Sequence, residues 1–295
     1  MERVQYKLSP ILKWTGGKSR AFKHLKMNLP QVLLDGKINN YYEPFLGGGA
    51  MFLNLIQNVK FSKCVLSDIN EDLMLFYNVV KNNPKELISL VENELNAYIK
   101  ISDKEKREDF YYKIREIYNN ERSTIDYNNY SNYYIHRASQ LLFLNKTGFG
   151  GRYRQNTDGE FNVPCSGEKP SILKKENILN FSAILKCKNI YLMQSDYKKI
   201  CNEISGNNSF VYFDPPYEGT VSDYYKIPFT HEDHIRLSEI YRELHKKNVF
   251  LMMNNSSQTG KYYDGFTIKR INSQGTVARK PSDRREIEEL IITNY

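Results

Sequence analysis

Short apolar runs alternate with longer amphipathic stretches towards both ends of the chain. The runs cover 63–66, 190–193, 210–213, 249–253 and 289–292, and each has the length and apolar content of a buried strand. A helical stretch at 231–247 follows Thr230, a preferred N-cap residue, and has acidic residues in its first turn. Strands that alternate with helices predict an α/β domain with a mostly parallel sheet.

The middle of the chain, 76–145, is instead rich in Tyr, Asn and charged residues. Its apolar and aromatic side chains recur at helical spacing, as in Phe110, Ile114, Ile117 and Tyr118. This spacing predicts amphipathic helices rather than further strands.

Turn residues and arginines dominate 146–170. Asp158-Gly159 lies between Arg154 and Phe161, and an Asp-Gly pair in such a position is a hairpin signal. We therefore predict a chain of two parts. An α/β domain is formed by 1–75 and 175–295, and an inserted helical plus β-hairpin module is formed by 76–174.

The charge balance favours a polyanionic partner without proving one. The 295 residues include 42 Lys and Arg against 34 Asp and Glu, which gives a formal charge of +8 and a pI near 9.0. Clustered cations gain affinity for phosphates by releasing condensed counterions. The basic composition therefore adds weight to a nucleic-acid function only where other features already suggest one.

Other features predict a cytoplasmic protein without a metal site. Four scattered cysteines without CxxC spacing indicate reduced thiols rather than disulfides or a zinc framework. His231 and His234 are three residues apart at a predicted helix start, so we interpret them as surface residues and not as metal ligands. No apolar run approaches the roughly 18 residues that a membrane span requires, and the N-terminus lacks the apolar core of a signal peptide.

A glycine cluster lies between a short predicted strand and an apolar helix, in Glu43-Pro44-Phe45-Leu46-Gly47-Gly48-Gly49. Glycines at such a position let the backbone approach a ligand closely, although a glycine triplet alone also fits an ordinary turn. Asp68 ends the next strand, about twenty residues further on, where an acid can accept hydrogen bonds from ribose hydroxyls. Together they predict a site for an adenosine-containing ligand.

The segment Lys13-Trp14-Thr15-Gly16-Gly17-Lys18 resembles half of the sequence motif of a phosphate-binding loop. Leu12 stands where that motif requires its first glycine, and no buried strand precedes the segment, so we reject a nucleotide triphosphatase. Two interpretations stay open: a solvated basic turn, or a loop that uses Trp14 and Lys18 on a ligand.

The most specific motif is Asp214-Pro215-Pro216-Tyr217, directly after the apolar run 210–213. The two prolines lack backbone N–H groups, so the Asp214 carboxylate and the Pro215 carbonyl can form a pocket of acceptors. An exocyclic amino group that donates one hydrogen to each would have its lone pair localised on nitrogen for attack on a sulfonium methyl. Tyr217 offers a face for stacking of a base that has been flipped out of the duplex.

Two other interpretations fit these residues less well. The motif could be a plain strand-terminating turn, which Asp-Pro favours, but the upstream glycine cluster and Asp68 argue against that. Pro164-Cys165 superficially matches the cysteine nucleophile of cytosine C5 methylation. Because Cys165 lies in the arginine-rich hairpin region and not after a central strand, we interpret it as structural.

Nearly the whole chain resembles a Dam-like DNA adenine-N6 methyltransferase of the D12 class, alpha group. The matching segments come in the family's order and are 13–18, 43–49, Asp68-Ile69-Asn70, the 145–164 hairpin, Ser195-Asp196-Tyr197, Asp214-Pro215-Pro216-Tyr217 and Asn254-Asn255-Ser256. The resemblance implies a Rossmann-like methyltransferase sheet, with 1–75 and 175–295 binding S-adenosylmethionine and 76–174 recognising the target.

The resemblance also implies roles for individual residues. The catalytic set is Asp214, Pro215, Pro216 and Tyr217. The implied cofactor-binding set is Trp14, Lys18, Glu43, Phe45, Gly47, Gly49, Asp68, Asp196 and Asp214. In this assignment Asp68 binds the ribose and Asp196 contacts the adenine ring of the cofactor.

The resemblance also implies how the target is recognised, because members of the family have a motif of the form aromatic-Asn-Gly-Leu-x-Arg. Phe149 and Arg154 align with the aromatic wedge and with the arginine that reads a guanine, but Gly150 and Arg152 depart from Asn and Leu. GATC or a related site is therefore the expected target. For Arg152 a base contact and a phosphate contact both stay open, and Lys13 matches a lysine near the first base pair.

The sequence leaves three competing functions open: N4-cytosine methylation, RNA adenine methylation and a catalytically silent DNA-binding module. Enzymes of the N4-cytosine class more often have Ser where Asp214 stands. The expected partner is double-stranded DNA, with no membrane. A cognate restriction endonuclease is a candidate partner, and we expect a monomer that acts in the cytoplasm at the nucleoid.

Overall fold

A seven-stranded sheet forms the core of the α/β part in the computed structural model, which describes residues 8–14, 16–18, 22–218, 226, 228–274 and 286–295. The strands are β1 Asn40–Glu43, β2 Lys63–Asp68, β3 Ile190–Gln194, β4 Ser209–Phe213, β5 Phe250–Ser256, β6 Thr267–Gln274 and β7 Glu286–Thr293. Every apolar run predicted to be a strand coincides with one of them, except that Val249 precedes the start of β5, so the mixed α/β class is confirmed.

The order of the strands across the sheet is β3-β2-β1-β4-β5-β7-β6. The first five in this order are parallel, and β7 pairs antiparallel with both β5 and β6. The chain moves outwards from β1 to β3 and then returns to place β4 on the other side of β1. This reversal makes the carboxyl ends of β1 and β4 the topological switch point, where open α/β sheets bind their ligands.

The described chain divides into two compact units. One comprises 16–69, 188–222 and 227–295, with the sheet and five helices, and the other comprises 1–15, 70–187 and 223–226. Helices of the sheet unit are α1 Phe22–Lys26, α2 Gln31–Leu34, α3 Ala50–Ile56, α9 Tyr197–Asn202 and α10 His231–Lys246. Those of the helical unit are α4 Glu71–Asn82, α5 Pro84–Lys100, α6 Lys104–Glu121, α7 Tyr133–Thr147 and α8 Lys175–Leu185.

The core of the sheet unit lies between the central strands and α10. Every residue of β4 is buried, because β1 and β5 flank it on both sides. Helix α10 begins with a capping box, in which Thr230 and Asp233 satisfy each other's backbone N–H groups. Its Tyr241 is buried and donates to the carbonyls of Leu251 and Ile292, which fixes the helix against β5 and β7.

Four details differ from the sequence-based expectations or refine them. Strand β6 was not predicted, and the turn at Asp158-Gly159 joins its arms by an isolated bridge between Gln155 and Phe161 instead of a regular ladder. Helix α8 belongs to the helical unit, because its buried Phe181 packs on Tyr77 of α4. His234 is buried rather than on the surface.

None of the helices in the described ranges is long and apolar enough to cross a membrane.

Candidate active site

The glycine cluster forms a turn that is hydrogen-bonded to the end of β2. The Gly47 N–H donates to Asp68 Oδ2 at 2.9 Å, and the Leu46 N–H donates to the Ser67 carbonyl at 2.9 Å. Gly49 has a φ of 68°, a left-handed conformation that lets the chain turn directly into α3. The Asp68 carboxylate therefore lies at the carboxyl edge of the sheet beside this turn, as the spacing predicted.

Glu43 ends β1 and is buried, with 2% of its surface exposed. Its Oε2 accepts from the Tyr41 hydroxyl at 2.7 Å and from the Phe52 N–H at 3.1 Å. Burial raises the pKa of Glu43 to about 8, although the Tyr41 hydrogen bond lowers it, and the charge of Asp214 raises it further. Glu43 thus joins the strand to the first turn of α3 and is largely protonated at neutral pH.

Asp196 lies at the carboxyl end of β3, next to the end of β2. The Ser195 N–H donates to the Asp68 carbonyl at 3.0 Å, which ties the two strand ends together. Asp196 caps α9 by accepting from the Lys198 N–H at 2.8 Å. The following residue, Tyr197, stacks on Phe45 with ring centroids 5.2 Å apart.

Asp214 directly follows β4 and forms an ion pair with Lys18. Lys18 Nζ lies 3.0 Å from Asp214 Oδ1, and Lys18 is itself buried, with 5% of its side chain exposed. Burial raises the pKa of Asp214 to about 6, and the charge and hydrogen bond of Lys18 limit that rise. Since a buried carboxylate is costly without a cation, Lys18 is the group that keeps Asp214 ionised near neutral pH.

Two further polar residues surround Tyr217: Asn254, from the segment 254–256 that resembles the family without an assigned role, and Glu289, which no sequence motif singled out. The Tyr217 hydroxyl donates to Glu289 Oε2 at 2.8 Å, and Asn254 Nδ2 donates to the same oxygen at 2.6 Å and to the hydroxyl. Lys18 Nζ lies 4.7 Å from the centre of the Tyr217 ring and 4.0 Å from Glu289 Oε2. A charged residue at the start of the buried run 289–292 was the available signal for Glu289.

In the helical unit, Asn145 joins Lys13 to the arginine-rich segment. Its side chain accepts from the Lys13 N–H and donates to the Lys13 carbonyl, both at 2.9 Å. It also donates to the Gly151 carbonyl at 2.9 Å. Asn145 is 2% exposed, and no local sequence pattern indicates its role, because Lys13 is 132 residues away in the chain.

The predicted DNA-contacting residues 149–154 lie in this same segment. Phe149 is an exposed aromatic, with 40% of its surface accessible, and the Arg152 guanidinium lies 6.0 Å from its ring centre. Gly150 has a φ of 69°, in the left-handed region that Gly and Asn tolerate best, so its departure from the family's Asn preserves the backbone.

Arg154 is oriented by Asn162 across the turn. Its Nε donates to Asn162 Oδ1 at 2.7 Å and its Nη2 donates to the Asn162 carbonyl at 3.2 Å. These two bonds use the side of the guanidinium, and its end, formed by Nη1 and the second hydrogen of Nη2, points away from Asn162. An end-on pair of donors of this kind matches O6 and N7 of a guanine.

The residues predicted from the sequence to form the site are divided between the two units. The sheet unit contains Lys18, Glu43, Phe45, Gly47, Gly49, Asp68, Asp196 and 214–217, and the helical unit contains Lys13, Trp14, Phe149, Arg152 and Arg154. Trp14 and Lys18, predicted together in one loop, belong to different units, and Thr15 between them lies outside the described residues. Trp14 instead stacks on Tyr153, with ring centroids 4.7 Å apart and planes inclined by 17°.

Comparison with known proteins decides the family. Residues 14–277 match the profile of the D12 class N6 adenine-specific DNA methyltransferases. The chain belongs to this family.

Its relatives match over almost the whole chain. The Type II methyltransferase M.MjaIII of Methanocaldococcus jannaschii is 40% identical over 98% of this chain and 99% of its own length. The Type II methyltransferase M1.LlaDCHI of Lactococcus lactis subsp. cremoris is 33% identical over 100% and 98%, respectively. The DNA adenine methylase of Haemophilus influenzae is 29% identical over 98% and 94%.

Family membership settles the reaction at the level of its class. The methyltransferase acts on adenine N6 in DNA, which excludes N4-cytosine methylation and a catalytically silent module as the function of the family, and it requires a methyl donor.

Proposed function

We propose that this methyltransferase transfers the methyl group of S-adenosylmethionine to N6 of an adenine flipped out of duplex DNA, within GATC or a related site. The observation that carries the proposal is Asp214. Its carboxylate follows the central strand β4 at the switch point of the sheet and is paired with a buried lysine at 3.0 Å.

The residues at the strand ends fit an adenosine-containing donor. The Asp68 carboxylate is an acceptor suited to ribose hydroxyls, and the turn at Gly47 and Gly49 presents backbone without side chains beside it. The Asp196 carboxylate would supply a hydrogen-bond acceptor for the adenine ring, and Phe45 would supply an aromatic surface for it. When bound, S-adenosylmethionine supplies a methyl group activated by its sulfonium charge.

Asp214 and the Pro215 carbonyl would accept the two hydrogens of the target amino group. The Lys18 contact uses Asp214 Oδ1, so we assign the second carboxylate oxygen to the amine, while Lys18 keeps the group ionised. The target nitrogen would form its bond to the methyl carbon as the bond from sulfur to that carbon breaks. The nitrogen would then lose its extra proton to solvent and become neutral, and no covalent intermediate with the protein is needed. Tyr217, held through its hydroxyl by Glu289, would stack on the adenine ring and offset part of the cost of extrusion.

The helical unit would read the duplex. Arg154 is assigned to a guanine, Phe149 to a wedge between base pairs, and Arg152 and Lys13 to the backbone or the first base pair. The Type II names of two relatives make a cognate restriction endonuclease a candidate partner, and a monomer is the expected acting form.

Mass spectrometry of nucleosides, combined with single-molecule sequencing of a treated plasmid, tests this proposal. We expect N6-methyladenine that depends on S-adenosylmethionine and occurs in one short sequence containing a guanine. Methylation spread over all adenines, or no dependence on this donor, would contradict it.

A further inference from the structure

Glu218 directly follows the motif 214–217 and is bonded to two other elements of the sheet unit. Its Oε1 lies 2.8 Å from Nδ1 of His231, in the first turn of α10, and accepts from the Tyr262 hydroxyl at 2.9 Å. Tyr262 is the last residue of the 3₁₀ helix Ser257–Tyr262, which follows β5. One carboxylate oxygen therefore joins the end of the motif to α10 and to this 3₁₀ helix.

The three side chains form a cluster that favours an ionised Glu218. The Tyr262 oxygen also lies 2.8 Å from His231 Nδ1, so each of the three polar atoms is within hydrogen-bond distance of the other two. Burial raises the pKa of Glu218, but the hydrogen bonds from His231 and Tyr262 outweigh it and the pKa is lowered. Both bonds to the carboxylate form together when His231 carries a hydrogen on Nδ1. Such bonds to a charged acceptor are stronger than those between neutral groups.

The motif 214–217 relies on side chains to fix its position. Its two prolines have no backbone N–H group, so this part of the chain cannot donate backbone hydrogen bonds. Lys18 holds the carboxylate of its first residue, and Glu289 holds the hydroxyl of Tyr217. Both of these contacts act at the ends of side chains. Glu218, in contrast, fixes the chain at the position directly after the motif.

Folding stability alone is a poor explanation for this carboxylate. The Glu218 side chain is 16% exposed, and its second oxygen, Oε2, is buried without a hydrogen-bond partner among the residues that the structure describes. A buried acceptor without a partner costs free energy, which offsets part of what the two bonds at Oε1 contribute. A role in holding the neighbouring motif accounts for a carboxylate that is costly to bury at this position.

We propose that Glu218 is a positioning residue that fixes the carboxyl end of the catalytic motif for methyl transfer. The inference rests on the proposed function, in which the Pro215 carbonyl accepts from the target amine and Tyr217 stacks on the base. A displacement of the chain at Glu218 moves this carbonyl and this ring, and about 1 Å of misplacement at a reacting centre is costly in rate. Glu218 contacts neither substrate in this role. Its loss therefore lowers the rate of the bound complex and leaves the affinity for either substrate largely unchanged.

Single-turnover methyl transfer from saturating labelled S-adenosylmethionine to a saturating target duplex tests this role on the whole protein. In Glu218→Ala the rate should fall by about 10- to 100-fold. The dissociation constants of S-adenosylhomocysteine and of the duplex, measured by calorimetry, should stay close to the wild-type values. A bound duplex with 2-aminopurine at the target position should differ in fluorescence between the wild type and the variant, because the displaced Tyr217 ring no longer stacks on the base in the same way.

Further variants separate positioning from simple support of the fold. Glu218→Gln, whose amide oxygen can still accept from His231 and Tyr262, should recover most of the rate that Glu218→Ala loses. Tyr262→Phe, which removes one donor and keeps the ring, should lower the rate by a smaller factor. Combined with Glu218→Ala it should lower the rate no further, because both changes act through the same carboxylate. Glu239→Ala, at an exposed acid of α10, is the matched control and should transfer at the wild-type rate.

The outcomes distinguish this inference from the proposed function. If the wild type transfers no methyl group from S-adenosylmethionine to adenine, the proposed function fails. If the wild type does so and a folded Glu218→Ala variant is equally fast, only the positioning role is overturned. A loss of activity that disappears when both substrates are saturating would also overturn it, since Glu218 would then act on binding. If Glu218→Ala fails to fold, Tyr262→Phe decides: a lower rate at unchanged affinities supports the role, and the wild-type rate overturns it.

Discussion

The ammonium group of Lys18 lies 3.0 Å from a carboxylate oxygen of Asp214, and both side chains are largely buried. The pair determines in which pH range the proposed catalytic carboxylate is ionised. Burial raises the pKa of Asp214 to about 6, the Lys18 charge opposes this, and the nearby Glu289 charge adds to it. Lys18 and Glu289 have opposite charges, so removing one or the other should shift the pKa of Asp214 in opposite directions.

Lys18→Met should move the acidic limb of the activity profile to higher pH. The carboxylate is the active form, so wild-type kcat/KM should fall as the pH drops through about 6. Without the lysine, the midpoint should rise by about 1 to 3 units. The measurement is kcat/KM for DNA against pH at saturating donor, with Lys23→Met, at an exposed lysine of α1, as the control. An unshifted midpoint in Lys18→Met would show that the pair does not control Asp214.

Glu289→Gln should move the same midpoint in the opposite direction, because it removes a negative charge that raises the pKa of Asp214. It should also weaken the hold on Tyr217, since a neutral amide oxygen accepts the bonds from Tyr217 and Asn254 less strongly than the carboxylate oxygen does. Fluorescence of a duplex with 2-aminopurine at the target position reports extrusion of the base, and its increase on binding should be smaller in the variant. A wild-type fluorescence increase together with an upward midpoint would contradict both roles.

Glu43→Gln should remove part of the pH dependence of stability. The folded pKa of Glu43, about 8, lies above its ordinary value of 4.5, so folding favours the protonated form. Its contribution is fully present below about pH 4.5 and is lost as the pH rises through about 8.

Between about pH 5 and pH 9, the free energy of unfolding of the wild type should therefore fall by about 2 to 4 kcal/mol more than that of Glu43→Gln. The amide oxygen can still accept from Tyr41 and Phe52. Denaturant unfolding at both pH values measures the difference, and parallel losses in the two proteins would show that Glu43 is ionised in the fold.

Asn162→Ala should weaken base discrimination although Asn162 is assigned no DNA contact, because it removes the side-chain oxygen that accepts from Arg154 Nε and leaves only the bond from Nη2 to the backbone carbonyl of residue 162. Arg154→Ala should lose about 1 to 3 kcal/mol of discrimination at the guanine position, and Asn162→Ala should lose a part of that free energy.

Arg152→Ala serves as the comparison for both variants. It should mainly reduce the salt dependence of DNA binding if the Arg152 side chain contacts phosphate. Competition between duplexes altered at single positions measures the preference, and an unchanged preference in Arg154→Ala would remove it from base recognition.

The sequence predicted those features that depend on neighbours in the chain. The apolar runs predicted five strands, the capping residue Thr230 predicted the start of α10, and Asp214 was expected at the end of a buried strand, where it lies. Such features are local, because burial on both faces of a parallel strand requires a continuous apolar run.

Other features depend on long-range pairing and could not be predicted. Strand β6 is an edge strand with exposed Lys269 and Arg270, so its pattern is too polar to distinguish from a loop. The bonds of Glu289 to Tyr217 and of Asn145 to Lys13 join residues 72 and 132 positions apart. Only the assembled fold makes these residues neighbours.

The central claim is that Asp214 activates the amino group of adenine. Single-turnover methyl transfer from labelled S-adenosylmethionine to a target duplex, compared between the wild type and Asp214→Ala, tests it most directly. We expect N6-methyladenine from the wild type, and a rate at least about 1,000-fold lower in the variant, with duplex affinity largely retained. A variant that binds the duplex and methylates adenine at the wild-type rate would contradict the mechanism.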